Sequence, residues 1–334
     1  LIMKDIKKIA VVGSTSWGIT LSNILVENSE NLTILARNSE EEEKLNHERS
    51  IKRKINYKLN KNITTSSNYK KIIKESQLII LAFPSASIKN NLENISKFLS
   101  KEKIIISAIK GFEQDSKKTI SQYLIENTNV DKKNIGVISG PNISAEIYEG
   151  LPATTVIGID KRLEEEIRKL FNSEKFRAYS SNDIIGIEIG GILKNIFAIG
   201  AGIIQEYNLG TNSMASYITR SLNEMKNIII FFGGKEKTIF GNSGLGDLIT
   251  TCFNQNSRNN QLGSLLAKGN HIDSAKKEIK GTIEGINSTK IIKEILNKEK
   301  IQAPIINEIY EVLFNNKSPQ IGINDLLSRE DSKE

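Results

Sequence analysis

Cysteine and histidine are scarce in this sequence, and that scarcity limits the chemistry it can carry. The 334 residues include one cysteine, Cys252, which excludes an internal disulfide framework and fits a reducing compartment. The two histidines, His47 and His271, lie far apart in sequence and have no ligand-like spacing to each other or to Cys252. The sequence therefore predicts no metal site.

Long hydrophobic runs are also missing. Apolar stretches such as LIILAF at 78–83 have the length of a strand, far below the roughly 20 residues that a membrane span needs. The first residues, LIMKDIKK, lead directly into a strand pattern without the apolar core or cleavage site of an export signal. We therefore expect a cytoplasmic protein that is not embedded in a membrane.

The net charge of +7 is spread along the chain rather than concentrated in one patch. Even spacing of the lysines argues against a nucleic-acid partner, whereas a mild positive excess suits small phosphorylated ligands. The acidic run EEEE at 40–43 is expected in the first turns of a helix, where the helix dipole favours negative side chains. We interpret that run as structural.

Strand-sized apolar runs alternate with amphipathic segments between residue 7 and about residue 180. Such alternation is typical of βαβ units and a largely parallel sheet. After about residue 182 the pattern becomes helical, beginning with a segment at 182–207 that is apolar on nearly every face and that Asn182 or Asp183 can cap. We predict a Rossmann-like α/β domain over 1–181 and an all-helical domain over 182–334. The candidate strands are KIAVV, LTILA, QLIILAF, KIIISAI, NIGVIS and TTVIGI.

A glycine turn, GSTSWG at 13–18, follows the first candidate strand. In the dinucleotide-binding fingerprint G-x-G-x-x-G the second glycine lets the backbone approach a pyrophosphate, and here that position holds Thr15 between Gly13 and Gly18. Ser16 and Trp17 would still present backbone N–H groups at a helix N-terminus, which is an anion site. The stretch alone fits both a cofactor site and an ordinary strand–turn–helix.

The second candidate strand ends in LTILAR, with Arg37 at its end. Sites that prefer NAD usually carry an acidic residue there, which binds the ribose 2′-hydroxyl. An arginine would tolerate or favour the 2′-phosphate of NADP instead. The alternative interpretation is an ordinary surface arginine.

Lys194 lies on a strip of small residues in the apolar helix. At helical spacing its neighbours on the same face are Gly190, Gly191, Ala198 and Ala201. A small polar substrate could approach the ammonium closely there, and burial would lower its pKa towards one useful for proton transfer. The alternative is a lysine that reaches solvent from the helix edge.

Two loops carry further candidates. Asp247 stands where the glycine-rich GNSGLGDLITTC enters a helix, so it could cap that helix or reach a buried ammonium. Ser257, Arg258 and Asn259 stand at another helix start and combine a hydroxyl, a guanidinium, an amide and free backbone N–H groups. That combination suits a phosphate monoester, although an N-cap and a surface charge would look the same.

Together these motifs make the chain resemble the bacterial NAD(P)-dependent glycerol-3-phosphate dehydrogenases from end to end. Several motifs are long, and they follow the order found in that family. They are GSTSWG, AIKGFE, SGPNISAEIYEGLP, GIEIGGILKNIFAIGAGI, ITRSLNEM, GNSGLGDLITTC, QNSRNNQLG and IEGINSTK.

The resemblance implies reversible hydride transfer between NADH or NADPH and the C2 carbon shared by dihydroxyacetone phosphate and sn-glycerol 3-phosphate, for glycerophospholipid synthesis. It implies that Lys194 is the acid/base, that Lys110 polarises the substrate and that Asp247 orients the lysine. The implied substrate-binding residues are Lys110, Gly140, Asn142, Lys194, Asp247, Ser257, Arg258 and Asn259. The implied cofactor-binding residues are Gly13, Thr15, Ser16, Trp17, Gly18, Arg37, Lys110, Ser144, Arg258, Thr282 and Glu284.

The sequence departs from the family pattern at Thr15, Asn142 and Ser144, and of these Thr15 bears most on function. Its side chain could hold a pyrophosphate farther out, or its hydroxyl could supply a replacement hydrogen bond. One alternative function is a two-domain dehydrogenase of the 6-phosphogluconate type, which the SRN and GGILKN motifs disfavour. Another is a catalytically silent dinucleotide-binding protein, which an intact Lys194, Asp247 and Arg258 disfavours. A homodimer is compatible with the resemblance.

Overall fold

The computed structural model describes residues 6–53 and 55–329, and these divide into two compact units at residues 188 and 189. The predicted domain limits, 1–181 and 182–334, stay a prediction. The first residues, on which the expectation of no export signal depends, lie partly outside the described part.

One sheet organises the first unit. Within the described residues it contains eight strands in the order β10-β9-β8-β7-β6-β1-β2-β5, and β3 and β4 form a separate antiparallel hairpin. Neighbouring strands of the sheet are parallel except β8 and β9. The strands are β1 Lys8–Val12, β2 Asn31–Leu35, β3 Ser50–Lys52, β4 Asn56–Lys58, β5 Ile63–Ser66, β6 Leu78–Leu81, β7 Ile104–Ser107, β8 Ile135–Ser139, β9 Ala153–Gly158 and β10 Phe176–Ser181.

Seven helices accompany these strands in the described sequence up to β10. They are α1 Ser16–Leu25, α2 Ser39–Glu48, α3 Tyr69–Glu75, α4 Ile88–Ile95, α5 Ile120–Asn127, α6 Ser144–Tyr148 and α7 Glu164–Phe171. The acidic run at 40–43 lies in the first half of α2, as predicted.

The sheet has an apolar core on each face. Along β1, Ile9 and Val11 pack into one buried cluster, whereas Ala10 and Val12 pack into a second. Successive side chains of a strand point to opposite faces, so both faces of β1 are covered. This explains why the central strands read as continuous apolar runs. Full burial of a valine or isoleucine side chain such as those of Ile9, Val11 and Val12 contributes about 1.5–3 kcal/mol.

The mostly parallel sheet confirms the predicted fold class of this unit, and the six candidate strands correspond to β1, β2, β6, β7, β8 and β9. The other four strands were not predicted from the sequence. β5 and β10 are the outermost strands of the sheet, where residues alternate between buried and more exposed positions, and β3 and β4 have three residues each. Strands of this kind lack the continuous apolar run that reveals a buried strand.

Helices make up the second unit, as predicted. The longest described helix is α8, Ile184–Glu206, which begins five residues before the division at 188 and 189. At its start the Asp183 carboxylate accepts a hydrogen bond from the N–H of Gly186 at 3.0 Å. By length and hydropathy α8 could cross a membrane, but 89% of its apolar stretch is buried in the protein. The others described are α9 Gly210–Phe231, α10 Asp247–Phe253, α11 Arg258–Ala267, α12 Ile272–Glu278, α13 Glu284–Glu299, α14 Pro304–Phe314 and α15 Pro319–Leu327.

Candidate active site

The glycine turn between β1 and α1 is as tight as the fingerprint requires. Gly13 has a φ of 115°, and a Cβ added there would lie 2.5 Å from the carbonyl oxygen of Ala82, the residue after β6. A Cβ on Gly18 would lie 2.1 Å from the carbonyl oxygen of Gly13. Both positions therefore exclude any side chain, because in each case the contact is with backbone.

Thr15 is the N-cap of α1, and its hydroxyl is already engaged. The oxygen accepts a hydrogen bond from the N–H of Gly18 at 3.0 Å, and its proton is donated to the carbonyl of Ala82 at 2.8 Å. A hydroxyl has one proton to donate. Helix geometry leaves the N–H groups of Ser16 and Trp17 without a partner inside the helix, so the turn fits an anionic group such as a pyrophosphate.

This geometry supports the steric account of Thr15. We expect Thr15→Gly to tighten NADH binding by a few-fold, up to about tenfold, because removing the Cβ recovers a fraction of a charged hydrogen bond worth about 1.5–3 kcal/mol. Thr15→Ser retains the hydroxyl and a Cβ and is the matched control, with binding unchanged. Calorimetric titration measures both. Weaker binding by the glycine variant would show that the capping hydroxyl outweighs the steric effect.

Arg37 lies just beyond β2 and is held by Glu41, in the first turn of α2. One carboxylate oxygen accepts hydrogen bonds from the backbone N–H and Nε of Arg37, at 2.7 and 3.1 Å. The other accepts from Nη2 of Arg37 at 3.0 Å and from the hydroxyl of Ser14 at 2.7 Å. Burial alone would raise the pKa of Glu41, but these hydrogen bonds outweigh it and lower that pKa. Glu41 also raises the pKa of Arg37, chiefly through the side-chain hydrogen bonds.

Lys110 follows β7, and its Nζ donates a hydrogen bond to the carbonyl of Gly140, after β8, at 3.3 Å. The Asn142 amide then fixes this loop to β9, because it donates to the carbonyl of Thr154 at 2.8 Å and accepts from the hydroxyl of Thr155 at 2.9 Å. Parallel strands β7 and β8 end at the same edge of the sheet, which brings Lys110 and Gly140 together. The Asn142 side chain thus orders the loop that carries Gly140.

Three further residues that the family resemblance predicts to bind the cofactor lie at or just before the starts of helices. Ser144 opens α6, and its hydroxyl lies 2.9 Å from the hydroxyl of Thr20 on α1. Glu284 is the first residue of α13, and Thr282 precedes it by two positions. Thr282 and Glu284 are both half-buried.

Lys194 and Asp247 form a buried ion pair in the second unit. Nζ of Lys194, on α8, donates a hydrogen bond to the carboxylate of Asp247, at the start of α10. The aspartate side chain is 0% exposed and the lysine side chain 11% exposed. Thr251 adds a hydrogen bond to the backbone carbonyl of Asp247 at 2.7 Å. A buried charge is costly unless it is paired, so each of these two side chains depends on the other for its burial.

Small residues on α8 make that pair possible. The segment Asn242–Gly246 forms a π-helical turn that leads into α10. A Cβ added to Gly190, one turn before Lys194, would lie 2.7 Å from the carbonyl oxygen of Ser243 in this turn. A larger residue at Gly190 would push the turn away, so the glycine lets Asp247 approach the lysine.

Cys252 lies close to this pair but does not share its chemistry. The thiol is fully buried, and burial raises its pKa although the charge of Lys194 opposes the shift. A protonated, enclosed thiol is neither a nucleophile nor a metal ligand. Between residues 6 and 53 and between 55 and 329, no group of three or more histidine, cysteine, aspartate or glutamate side chains could hold a metal ion.

The start of α11 presents Ser257 and Arg258. Ser257 occupies the N-cap position, but its hydroxyl makes no capping hydrogen bond. Arg258 is exposed, and its guanidinium packs against Gly281, where an added Cβ would lie 2.7 Å from Nη1. Desolvation by the surrounding protein lowers the pKa of Arg258, and the charge of Glu284 opposes this. An accessible, partly desolvated cation at a helix N-terminus is well suited to a phosphate.

The Asn259 side chain ties three helices together. It donates to the amide oxygen of Asn195 on α8 at 2.9 Å and accepts from the N–H of Gly285 on α13 at 3.0 Å. Asn259 is buried, and its side-chain amide is used in these contacts. Its backbone N–H, in the first turn of α11, is the group that it can offer to a ligand.

Comparison with known proteins decides the family. The model for the N-terminal half of the NAD-dependent glycerol-3-phosphate dehydrogenases matches residues 8–164, and the model for the C-terminal half matches residues 183–324. The chain belongs to this family. Neither the 6-phosphogluconate-type dehydrogenase nor the silent dinucleotide-binding protein is favoured by that result.

Individual relatives of this glycerol-3-phosphate dehydrogenase family cover nearly the whole chain. The glycerol-3-phosphate dehydrogenase [NAD(P)+] of Fusobacterium nucleatum is 36% identical and is matched over 97% of each chain. That of Clostridium botulinum (strain Eklund 17B / Type B) is 34% identical, over 98% of this chain and 99% of the relative. The crystal structure of the Coxiella burnetii enzyme superimposes with a TM-score of 0.90 at 26% identity and covers 98% of this chain and 100% of that one.

Three residues that lie beside the candidate site residues were not predicted from the sequence. Asn195 supports Asn259, Gly281 contacts Arg258, and Glu41 holds Arg37. Only Glu41 had a readable signal, because it lies four positions after Arg37, at the spacing of a helical ion pair. The acidic run was interpreted as structural, which hid that signal.

Proposed function

We propose that this oxidoreductase reduces the C2 carbonyl of dihydroxyacetone phosphate to give sn-glycerol 3-phosphate, with Lys194 as the acid/base. The single observation that carries the assignment is the buried pair of Lys194 and Asp247. It is supported by the family and by relatives named for this reaction. Lysine is almost never fully buried unless it is paired, and a lysine held by a buried carboxylate is in a position to exchange a proton with a substrate.

In the forward direction Lys194 donates a proton from Nζ to the carbonyl oxygen of the substrate while C2 becomes a carbinol carbon. The lysine is left neutral, and in the reverse direction it accepts the hydroxyl proton. Asp247 keeps Nζ in place and stabilises its charged form. Thr251 in turn fixes the backbone of Asp247.

The phosphate of the substrate would bind at the N-terminus of α11. Arg258 supplies a guanidinium that can donate two hydrogen bonds. Ser257 supplies a hydroxyl that makes no capping hydrogen bond, and Asn259 supplies a backbone N–H. Lys110 and Gly140, joined by a hydrogen bond, would bind the substrate carbonyl region. These contacts would position the substrate.

Most of the residues that would hold the dinucleotide belong to the first unit. The N–H groups of Ser16 and Trp17 would bind the pyrophosphate, Arg37 the adenosine end and Ser144 part of the remainder. Thr282 and Glu284, which belong to the second unit, are proposed for the remainder as well. When bound, reduced NADH or NADPH supplies the hydride.

We further propose that the enzyme acts in the cytoplasm and that its product enters glycerophospholipid synthesis. The apolar helix α8 is buried rather than lipid-facing, which supports a site away from the bilayer. A homodimer stays a prediction, which light scattering on the purified protein measures.

The test compares substrates in the oxidation direction. Reduced nicotinamide should appear when sn-glycerol 3-phosphate is added with NAD+ or NADP+, and it should not appear with 6-phosphogluconate. The reversed pattern would replace this function with that of a 6-phosphogluconate-type dehydrogenase.

A further inference from the structure

Glu41 occupies the region where a dinucleotide-binding fold selects between its two nicotinamide cofactors. Its carboxylate joins the turn after β1, through Ser14, to the segment just beyond β2, through Arg37, and Glu41 itself lies in the first turn of α2. In such folds the group beyond the second strand meets the adenosine ribose, where the two cofactors differ only by a 2′-phosphate. The chain places both a cation, Arg37, and an anion, Glu41, in this region.

The carboxylate itself has no capacity left for a ribose hydroxyl. Its two oxygens offer about four acceptor sites, and they take two hydrogen bonds each: one oxygen from the backbone N–H and Nε of Arg37, the other from Nη2 of Arg37 and the hydroxyl of Ser14. The carboxylate side chain is only 16% exposed. Glu41 therefore acts on a ligand through its charge and through Arg37.

The Arg37 side chain, in contrast, still has hydrogen-bond donors to offer. Its side chain is 79% exposed, and Glu41 engages Nε and Nη2. A guanidinium has five N–H donors, so donors remain for a second anion. A 2′-phosphate that used them would lie near the carboxylate and be repelled by its charge. A ribose hydroxyl would be unaffected by that repulsion.

We propose that Glu41 is a specificity-determining residue for the cofactor: it holds Arg37 and, by its negative charge, opposes the 2′-phosphate of NADPH, so that both cofactors can be used. Arg37 attracts that phosphate and Glu41 limits the attraction. The inference rests on the proposed function, because it needs the adenosine end of the dinucleotide to lie beyond β2.

The test is calorimetric titration of NADH and of NADPH into the purified chain without substrate. Glu41→Gln keeps the shape of the side chain and removes its charge. We expect the Kd for NADPH to fall about 3- to 10-fold at low salt, with the Kd for NADH changed less than twofold and the gain shrinking at high salt. Arg37→Gln should raise the Kd for NADPH and leave the Kd for NADH unchanged, which shifts the ratio of the two Kd values in the opposite direction.

Glu48→Gln is the matched control. Glu48 lies on the same helix and forms an i,i+4 pair with Lys44, at 3.9 Å between Nζ and Oε1. Its neutralisation should leave the ratio of the two Kd values unchanged. Glu41→Ala serves as a second variant if the glutamine variant does not fold, and it should move the ratio in the same direction.

Three results would overturn the inference. If Glu41→Gln weakens the binding of both cofactors equally, Glu41 only supports the turn. If it leaves the ratio of the two Kd values unchanged, the charge of Glu41 does not affect the 2′-phosphate. In either case the wild type still binds cofactor, and the proposed function stands. If the wild type binds neither cofactor, the inference and the proposed function fail together.

Discussion

Lys194→Ala lowers kcat for dihydroxyacetone phosphate reduction by about 10²- to 10⁴-fold, the usual contribution of a general acid. The Kd for NADH should change little, because Lys194 is assigned to the substrate and not to the dinucleotide. Steady-state kinetics and cofactor titration on the same preparation measure both quantities. A variant that retains more than about a tenth of the wild-type kcat would remove Lys194 from the role.

Loss of stability must be separated from loss of chemistry. Lys194→Ala leaves Asp247 buried without its cation, which costs about 3–5 kcal/mol in comparable pairs. The double variant Lys194→Met with Asp247→Asn neutralises both partners, so its thermal unfolding should return towards wild type while kcat stays low. Lys268→Ala removes a lysine from an exposed pair with Glu206, at 3.3 Å, and should leave kcat unchanged.

Arg258→Ala lowers kcat/KM for dihydroxyacetone phosphate by about 10- to 100-fold. A hydrogen bond to a charged group contributes about 1.5–3 kcal/mol, and a guanidinium can make two to one phosphate. The exposure of Arg258 at the start of α11 makes it available for that contact.

Unphosphorylated dihydroxyacetone is the internal control for this variant. It retains the carbonyl on which Lys194 acts but offers nothing for Arg258 to bind, so the penalty of Arg258→Ala should be far smaller with it. Equal penalties on the two substrates would assign the arginine to the cofactor or to folding. Because the contact joins a guanidinium and a phosphate of opposite charge, salt should weaken phosphate binding in the wild type.

The sequence was sufficient for the parts of the fold that depend on periodicity. Continuous apolar runs predicted β1, β6, β7 and β8 because those strands are buried on both faces. The apolar segment after residue 182 predicted α8 for the same reason. The outer strand β10 was not predicted because its residues, FRAYSS, alternate between buried and exposed positions and end in polar side chains.

Contacts between distant residues were harder to predict. The residues alone offered two interpretations of Asp247, a helix cap or a partner for a buried ammonium, and the family resemblance implied the second. The structure shows its carboxylate accepting a hydrogen bond from Lys194, 53 positions away. Gly190 looked like a site for close approach of a substrate, yet it is the turn at Ser243 that approaches it. Periodicity places a residue on a face of a helix, but it does not identify what packs against that face.

The spacing of four positions between Arg37 and Glu41 could have indicated their ion pair, but the acidic run was interpreted only as the start of a helix. A helix dipole explains an acidic first turn, and three glutamates of the run, at 40–42, lie in the first turn of α2. The dipole does not explain why Glu41 receives four hydrogen bonds, or why Glu42 beside it accepts two from Ser67. A second role becomes visible only when β1, β2 and α2 are assembled.

The central claim is that this chain transfers hydride between a nicotinamide cofactor and dihydroxyacetone phosphate, and one absorbance measurement tests it directly. The reduced-nicotinamide absorbance is followed after dihydroxyacetone phosphate is added to the wild type with NADH, and in parallel with NADPH. The account predicts a loss of absorbance that depends on both enzyme and substrate, with sn-glycerol 3-phosphate formed in equal amount. A constant absorbance with both cofactors, from folded protein that binds them, would contradict the account.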